Sequence, residues 1–183
     1  MRNCMPIRKV HLCASPYTAE NLPTMLQEEL GVCSGVRQAL RNALLRCDKE
    51  WLSLNAGQAG STAIVVYHDG YGILSCANVG DSRAVLCRAG VAVPLSQDQK
   101  PGSAEEAARI VEAGGYITNN RIFGQLAVAR AMGDRDLKQE VPGALTCEPE
   151  ILQERLRQTD EFIILACDGL FDVMTSQQAV DFV

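Results

Sequence analysis

Residues 62–95 read Thr62-Ala-Ile-Val-Val-Tyr-His-Asp-Gly-Tyr-Gly-Ile-Leu-Ser-Cys-Ala-Asn-Val-Gly-Asp-Ser-Arg-Ala-Val-Leu-Cys-Arg-Ala-Gly-Val-Ala-Val-Pro-Leu95. The run 62–67 is continuously apolar and β-branched, the pattern of a strand covered on both faces. His68-Asp-Gly-Tyr-Gly72 is a hairpin turn, because Asp-Gly supplies the positive φ such turns need. Residues 72–79 and 82–89 are the next two strands, with Gly80-Asp81 between them. Ala89-Gly90 turns into a fourth strand at 91–95. The stretch predicts an antiparallel meander.

Upstream lies helical sequence. Val36, Leu40, Leu44, Cys47 and Trp51 recur at spacings of three and four, so a helix over about 36–52 carries one apolar stripe. Ser34 is its candidate cap, and Arg37, Arg41, Asp48 and Lys49 are placed on the solvated face. An earlier helix has Pro23 near its start, Asn21 as N-cap and Gly31 as its stop. Residues 57–60 are a loop, and residues 1–17 show no period. Downstream, Ser103-Ala-Glu-Glu106 predicts a capping box before a helix that ends at Gly114-Gly115. Short strands follow near 116–118 and 125–128, and 129–147 is irregular. Glu161-Phe-Ile-Ile-Leu-Ala-Cys167 is a buried strand. Thr175-x-x-Gln178 caps a helix starting near Ser176. That helix has barely begun at Val183, which leads to the expectation of a partial chain: an irregular segment over 1–17 and one incomplete domain over 18–183.

The 183 residues are 47% hydrophobic and 21% charged, an ordinary globular composition. A net charge of -5 argues against nucleic acid as a partner. No apolar run approaches the roughly 20 residues that cross a bilayer, so no membrane association is expected. The eight cysteines include no C-x-x-C pair, which points away from zinc and from a disulfide framework and towards a reducing compartment. Cytoplasm or nucleus is the default location. His11 and His68 are the only histidines, too few for multi-histidine chemistry.

Motifs then follow in a fixed order: Gly60-Ser-Thr-Ala63, Ala77-Asn-Val-Gly-Asp-Ser-Arg-Ala84, Asp98-Gln-Lys-Pro101, Arg109-Ile110 with Gly114-Gly115, Leu126-Ala-Val-Ala-Arg-Ala-Met-Gly-Asp134, and Phe162-Ile-Ile-Leu-Ala-Cys-Asp-Gly-Leu-Phe-Asp172. Together they closely resemble the metal-dependent protein phosphatase 2C (PPM-type) family over about residues 60–183. The resemblance implies an α+β fold, here a partial α/β/β/α sandwich of two antiparallel sheets flanked by helices. It implies hydrolysis of phosphoserine and phosphothreonine in proteins, with two Mg²⁺ or Mn²⁺ ions activating a shared water. The implied partner is a phosphoprotein substrate.

Carried over residue by residue, the family pattern makes Asp168 of Cys-Asp-Gly a metal ligand. It places Asp81 of Gly-Asp-Ser-Arg at an additional, weaker metal site. A turn-forming role is the alternative for each. Arg83 and Arg130 are candidate phosphate contacts for which a structural role is favoured, and Asp134 and Asp172 are read as loop supports. Gln99 stands where the family's Asp-His-Lys-Pro pattern has histidine, in a segment that reads as a surface turn. The family's N-terminal arginine, Glu-Asp pair and Asp-Gly-His-Gly-Gly motif are missing, as is its C-terminal Asp-Asn motif. His68-Asp69-Gly70 lies after Gly60-Ser-Thr-Ala63 instead of before it and is rejected as the metal motif. One surviving core carboxylate cannot hold two hard cations that want about six oxygen ligands each. The expectation is therefore a phosphatase sequence that alone is inactive or very weak. The alternative is a catalytically dead phosphatase-like module that binds a protein partner.

Overall fold

The structure, a computed structural model, describes residues 16–54 and 59–183. The expected irregular N-terminus lies outside the described residues up to position 15, as does part of the expected 57–60 loop. Pro16 and Tyr17 already belong to a helix, α1 (Pro16–Val32). This is longer than predicted: Pro23 sits inside it, and Asn21 is no cap but donates Nδ2 to the Tyr17 carbonyl at 2.8 Å. Burial explains the tolerated proline, because Leu22, Met25 and Leu26 seat that turn in the core. Helix α2 (Val36–Ser53) follows. Gly35 precedes it with no side-chain cap bond, so Ser34 does not cap it. Ala39, Leu40, Ala43, Leu44 and Cys47 bury the predicted stripe against α1 and the sheet beneath.

The strand region begins with β1 (Gly60–Ser61) and β2 (Ala63–His68). It continues with β3 (Ile73–Val79), β4 (Arg83–Arg88) and β5 (Val91–Pro94). The β2–β3 turn forms as read: Asp69 Oδ1 accepts from the Tyr71 and Ile73 amides, and Gly70 and Gly72 hold φ of 81° and 92°. The predicted meander, however, divides into two hairpins in two sheets. β2 pairs with β3 and β4 with β5, but β3 and β4 do not pair. The turn between them, Gly80-Asp81-Ser82, is buried, and Gly80 has a φ of 103°. A Cβ at Gly80 would lie 2.4 Å from Thr62 Cγ2, so only glycine lets the chain cross between sheets there.

Next come α3 (Ala104–Glu112), β6 (Ile117–Thr118), β7 (Arg121–Ile122), β8 (Met132–Gly133) and α4 (Arg135–Glu140). Gln125–Val128 makes only an isolated bridge, Ile122 to Leu126, in place of the predicted strand. The expected Ser103–Glu106 box does not form. Ser103 Oγ donates to the Lys100 carbonyl, while Glu106 is taken by arginines. The chain closes with β9 (Glu150–Arg155), β10 (Asp160–Ala166), α5 (Asp168–Phe171) and α6 (Ser176–Phe182). Thr175 and Gln178 make both bonds of the capping box on α6.

The sheets are β2-β3-β9 and β10-β4-β5, all neighbours antiparallel. Adjacent residues of β3 divide between two layers. Ala77 and Val79 face the helices, and Leu74 and Cys76 face the other sheet with Ile64, Ala84, Leu86 and Leu95. On the far side Val85 and Cys87 meet Val180 of α6. The order helix, sheet, sheet, helix is the expected α/β/β/α arrangement. β10 departs from expectation: it is an edge strand and half-buried, not buried.

Candidate metal and phosphate site

Register brings the two predicted aspartates to one end of the β10-β4-β5 sheet. Arg83 of β4 is paired with Ala166 of β10. Asp81 lies two residues before the first and Asp168 two residues after the second, so both emerge beyond the same ladder end. Asp168 opens α5 and is exposed, with its carbonyl accepting from the Asp172 amide at 2.7 Å. Asp81 is only 5% exposed, in the turn between the sheets.

Asp81 is already engaged. Lys100 Nζ donates to its Oδ2. Burial pushes the Lys100 pKa down, but the hydrogen bond and charge of Asp81, with the charges of Asp168 and Asp98, hold it above its ordinary value. Beside this pair Arg83 grips Asp98 with two bonds, Nε to Oδ1 at 3.0 Å and Nη2 to Oδ2 at 2.8 Å. Arg83 also donates to Ser176 Oγ and stacks 4.5 Å from the Phe171 ring centroid. It thereby fastens the segment that follows Asp168. Gln99, read as part of a surface turn, is instead 3% exposed. Its Oε1 accepts from the Gly80 amide at 2.7 Å and its own amide donates to the Gly80 carbonyl at 3.0 Å. An amide side chain can accept there as a neutral histidine nitrogen can, which accounts physically for glutamine at this place.

Arg130 has a structural setting too. Its Nε donates to Glu106 Oε1 at 2.9 Å and its Nη1 to the Glu148 carbonyl at 2.9 Å. Arg109 takes the other carboxylate oxygen, Oε2, at 2.8 Å. Burial raises the Glu106 pKa, but both guanidiniums more than offset it and hold it below its ordinary value. Asp48, placed on the solvated face from sequence, is buried. It accepts from the Gly133 amide at 2.6 Å and from Lys138 Nζ at 2.7 and 2.8 Å. The Asp134 carboxyl packs against Gly60, and burial pushes its pKa up. Asp172 is exposed beside the start of α6.

A family model described as protein phosphatase 2C matches residues 10–183. The chain belongs to the protein phosphatase 2C family. It is similar to protein phosphatase 2C homolog 3 of Schizosaccharomyces pombe, 39% identical over 175 residues, covering 91% of this chain and 42% of the relative. Homolog 2 of the same organism is 37% identical over 179 residues, covering 91% and 48%. Among solved structures, a sex-determining protein of C. elegans superposes with TM-score 0.79 at 26% identity, over 88% of this chain and 41% of that one. A serine-threonine phosphatase 2C from Toxoplasma gondii gives TM-score 0.74 at 25% identity, over 92% and 67%. The chain thus spans less than half the length of the S. pombe relatives it matches.

For a phosphatase 2C chain, the donor set at this end is thin. Among the described residues, no three or more His, Cys, Asp or Glu side chains converge as a metal cluster. Two hard cations want about a dozen oxygen ligands between them. The donors present do not fit a two-metal site. Sequence reasoning placed Asp81 and Asp168 but gave no role to Lys100 or to the buried face of Gln99. A signal existed: Asp81-x-Arg83 and Asp98-x-Lys100 carry the same charge pattern, so only an antiparallel approach pairs every acid with a base.

Proposed function

We propose that this chain is part of a metal-dependent protein serine/threonine phosphatase and that it does not, by itself, turn over phosphoprotein. Family membership supports the reaction class: hydrolysis of phosphoserine or phosphothreonine esters, with Mg²⁺ or Mn²⁺ as cofactor in the family. The observation that carries the second half is the state of the two aspartates. Asp168 is exposed at the sheet end, and Asp81, which emerges at the same end, is neutralised by Lys100. A site of this kind can bring one carboxylate near a phosphoryl group. Its cations, Lys100 and Arg83, are already paired with Asp81 and Asp98, and a cation so engaged is a poor stabiliser of the charge that develops on a phosphoryl group in transfer.

The test is a phosphothreonine-peptide assay of the 183-residue chain with Mn²⁺, against Asp168→Asn. Release of phosphate no faster than from the variant is expected. Turnover by the chain that Asp168→Asn abolishes would overturn the proposal.

One observation favours a second reading, a phosphatase-like module that binds a protein partner. Among the described residues no strand pairs with the outer edge of β10, beside half-buried Phe162, Ile163, Ile164 and Leu165, none of them proline or charged. Under that reading Asp168→Asn leaves partner binding intact, whereas a charge at Ile164 weakens it.

A further inference from the structure

We infer that Lys100 is the resident cation of the sheet end that carries Asp81 and Asp168, and that a divalent cation reaches the Asp81 carboxylate only by displacing it. The inference rests on the family reading of Asp81 as a cation-facing residue, but it concerns binding and not turnover.

The argument begins with two tripeptides. Asp81-Ser82-Arg83 and Asp98-Gln99-Lys100 face each other in opposite directions, so Lys100 meets Asp81 and Arg83 meets Asp98. The register is set by backbone and not by the charges alone. Gln99 at the centre exchanges two hydrogen bonds with Gly80 and donates Nε2 to the Asn78 carbonyl at 3.3 Å. Its own carbonyl accepts from the Ala129 amide at 2.8 Å. Lys100 is therefore delivered to Asp81 by a segment fastened on both sides.

The exposures show which partner lies towards solvent. The Asp81 side chain is 6% exposed and that of Lys100 is 36% exposed. A carboxylate this deep must be paired, since an isolated buried charge is strongly unfavourable. Lysine meets that need with one ammonium. A divalent ion would arrive with a hydration shell and find two nearby carboxylates, one of them already bonded, where it wants about six oxygens. Lysine fits the depth of the site, and its charge also answers Asp168, which acts on Lys100 from the exposed side. The four charges of the two tripeptides sum to zero, so they attract no second cation beyond what Asp168 alone can draw.

Mn²⁺ binding by the 183-residue chain, measured by electron paramagnetic resonance of free Mn²⁺, tests this with melting as a second readout. Asp81→Asn is expected to leave the affinity within about twofold of the parent, since Asp81 contributes nothing while Lys100 holds it. Lys100→Met is expected to melt lower, to bind Mn²⁺ about tenfold more tightly, and to regain its melting temperature with Mn²⁺. Lys100→Met with Asp81→Asn should lose that gain. A parent chain whose Mn²⁺ affinity falls tenfold in Asp81→Asn would overturn the inference, and so would a folded Lys100→Met with no gain. If Lys100→Met does not fold, the parent against Asp81→Asn decides alone. Failure by the first route would leave the phosphatase reading standing and strengthened. Turnover by the unaltered chain would break that reading while leaving the binding comparison to be judged separately.

Discussion

The two sheets of this sandwich are clothed unequally. Outside β2-β3-β9, helices α1 and α2 close a cluster of fourteen buried residues that runs from Leu22 to Cys147. Outside β10-β4-β5 the matching cluster holds three, Val85, Cys87 and Val180, with Phe162, Ile164 and Phe171 partly covered. The first sheet is held by apolar burial. The second relies more on charge: Arg88 of β4 grips Asp160 of β10 at 2.6 Å and reaches Glu154 of β9 at 2.9 Å, so one guanidinium ties β10 to β4 and both sheets together. The candidate site sits at the end of this more thinly covered sheet. Asp168 leaves the end of β10, the strand with a free edge, and its loop is steadied by Arg83 more than by core.

If that contrast is right, the largest losses come from the α2 side. Lys138→Met removes the partner of buried Asp48 and should destabilise the chain by about 3–5 kcal/mol, the scale of a broken buried pair. Urea unfolding measures it. Lys138→Met combined with Asp48→Asn should recover part of the loss, because the orphaned charge goes with it. Leu44→Ala, at a fully buried position, should cost about 2–5 kcal/mol. On the other sheet Ile164→Ala should cost only about 1 kcal/mol, since the side chain is only partly buried and part of its transfer energy is already forgone. Equal losses at Leu44 and Ile164 would break the comparison.

Acid sharpens it. Arg88 donates to the Asp160 carboxylate and holds its pKa below the usual carboxylate range. A folded pKa lower than the unfolded value gives stability that is present above the unfolded value, about 3.9, and is lost as pH falls through the folded one. Glu106, held down between Arg130 and Arg109, acts in the same direction. Asp160→Asn should therefore flatten the decline in melting temperature below about pH 4, with the flattening seen first in β10 amide exchange. An unchanged acid limb would remove charge as the fastener of the second sheet.

Much of this was legible in the residues and some was not, for identifiable reasons. The stripe from Val36 to Trp51, the 68–72 turn and the 175–178 box are local, and each formed as local chemistry dictates. The division of the meander was hidden because a strand covered on both faces reads the same whichever sheet it joins. Asp48 was misplaced although it lies four residues after Leu44, inside the apolar stripe; a charge there signals a buried partner, and that partner is ninety residues away at Lys138. Motifs singled out Asp81 and Asp168, and the β4–β10 register brings both to one sheet end. The lysine that neutralises Asp81 was signalled only by the acid-x-base pattern shared by 81–83 and 98–100, since pairing across nineteen residues depends on how two turns meet.

The smallest effect is also local. Thr175 accepts from the Gln178 amide at 3.2 Å, and Gln178 Oε1 accepts from the Thr175 amide at 2.8 Å. Thr175→Ala should cost about 1 kcal/mol, a typical N-cap loss. Its value lies in where the loss appears. α6 is a principal cover over Val85 and Cys87, and Ala92 of β5 donates its amide to Gln177 of this helix at 2.9 Å. A frayed cap should therefore speed amide exchange in α6 and in β5 while leaving β2 and β3 protected. Uniformly faster exchange would mean that the two sheets open together, and that the second sheet's thin covering makes it no easier to expose. Confined exchange would mean that the end of the molecule bearing Asp168 opens as its own unit, with the α1–α2 side standing closed.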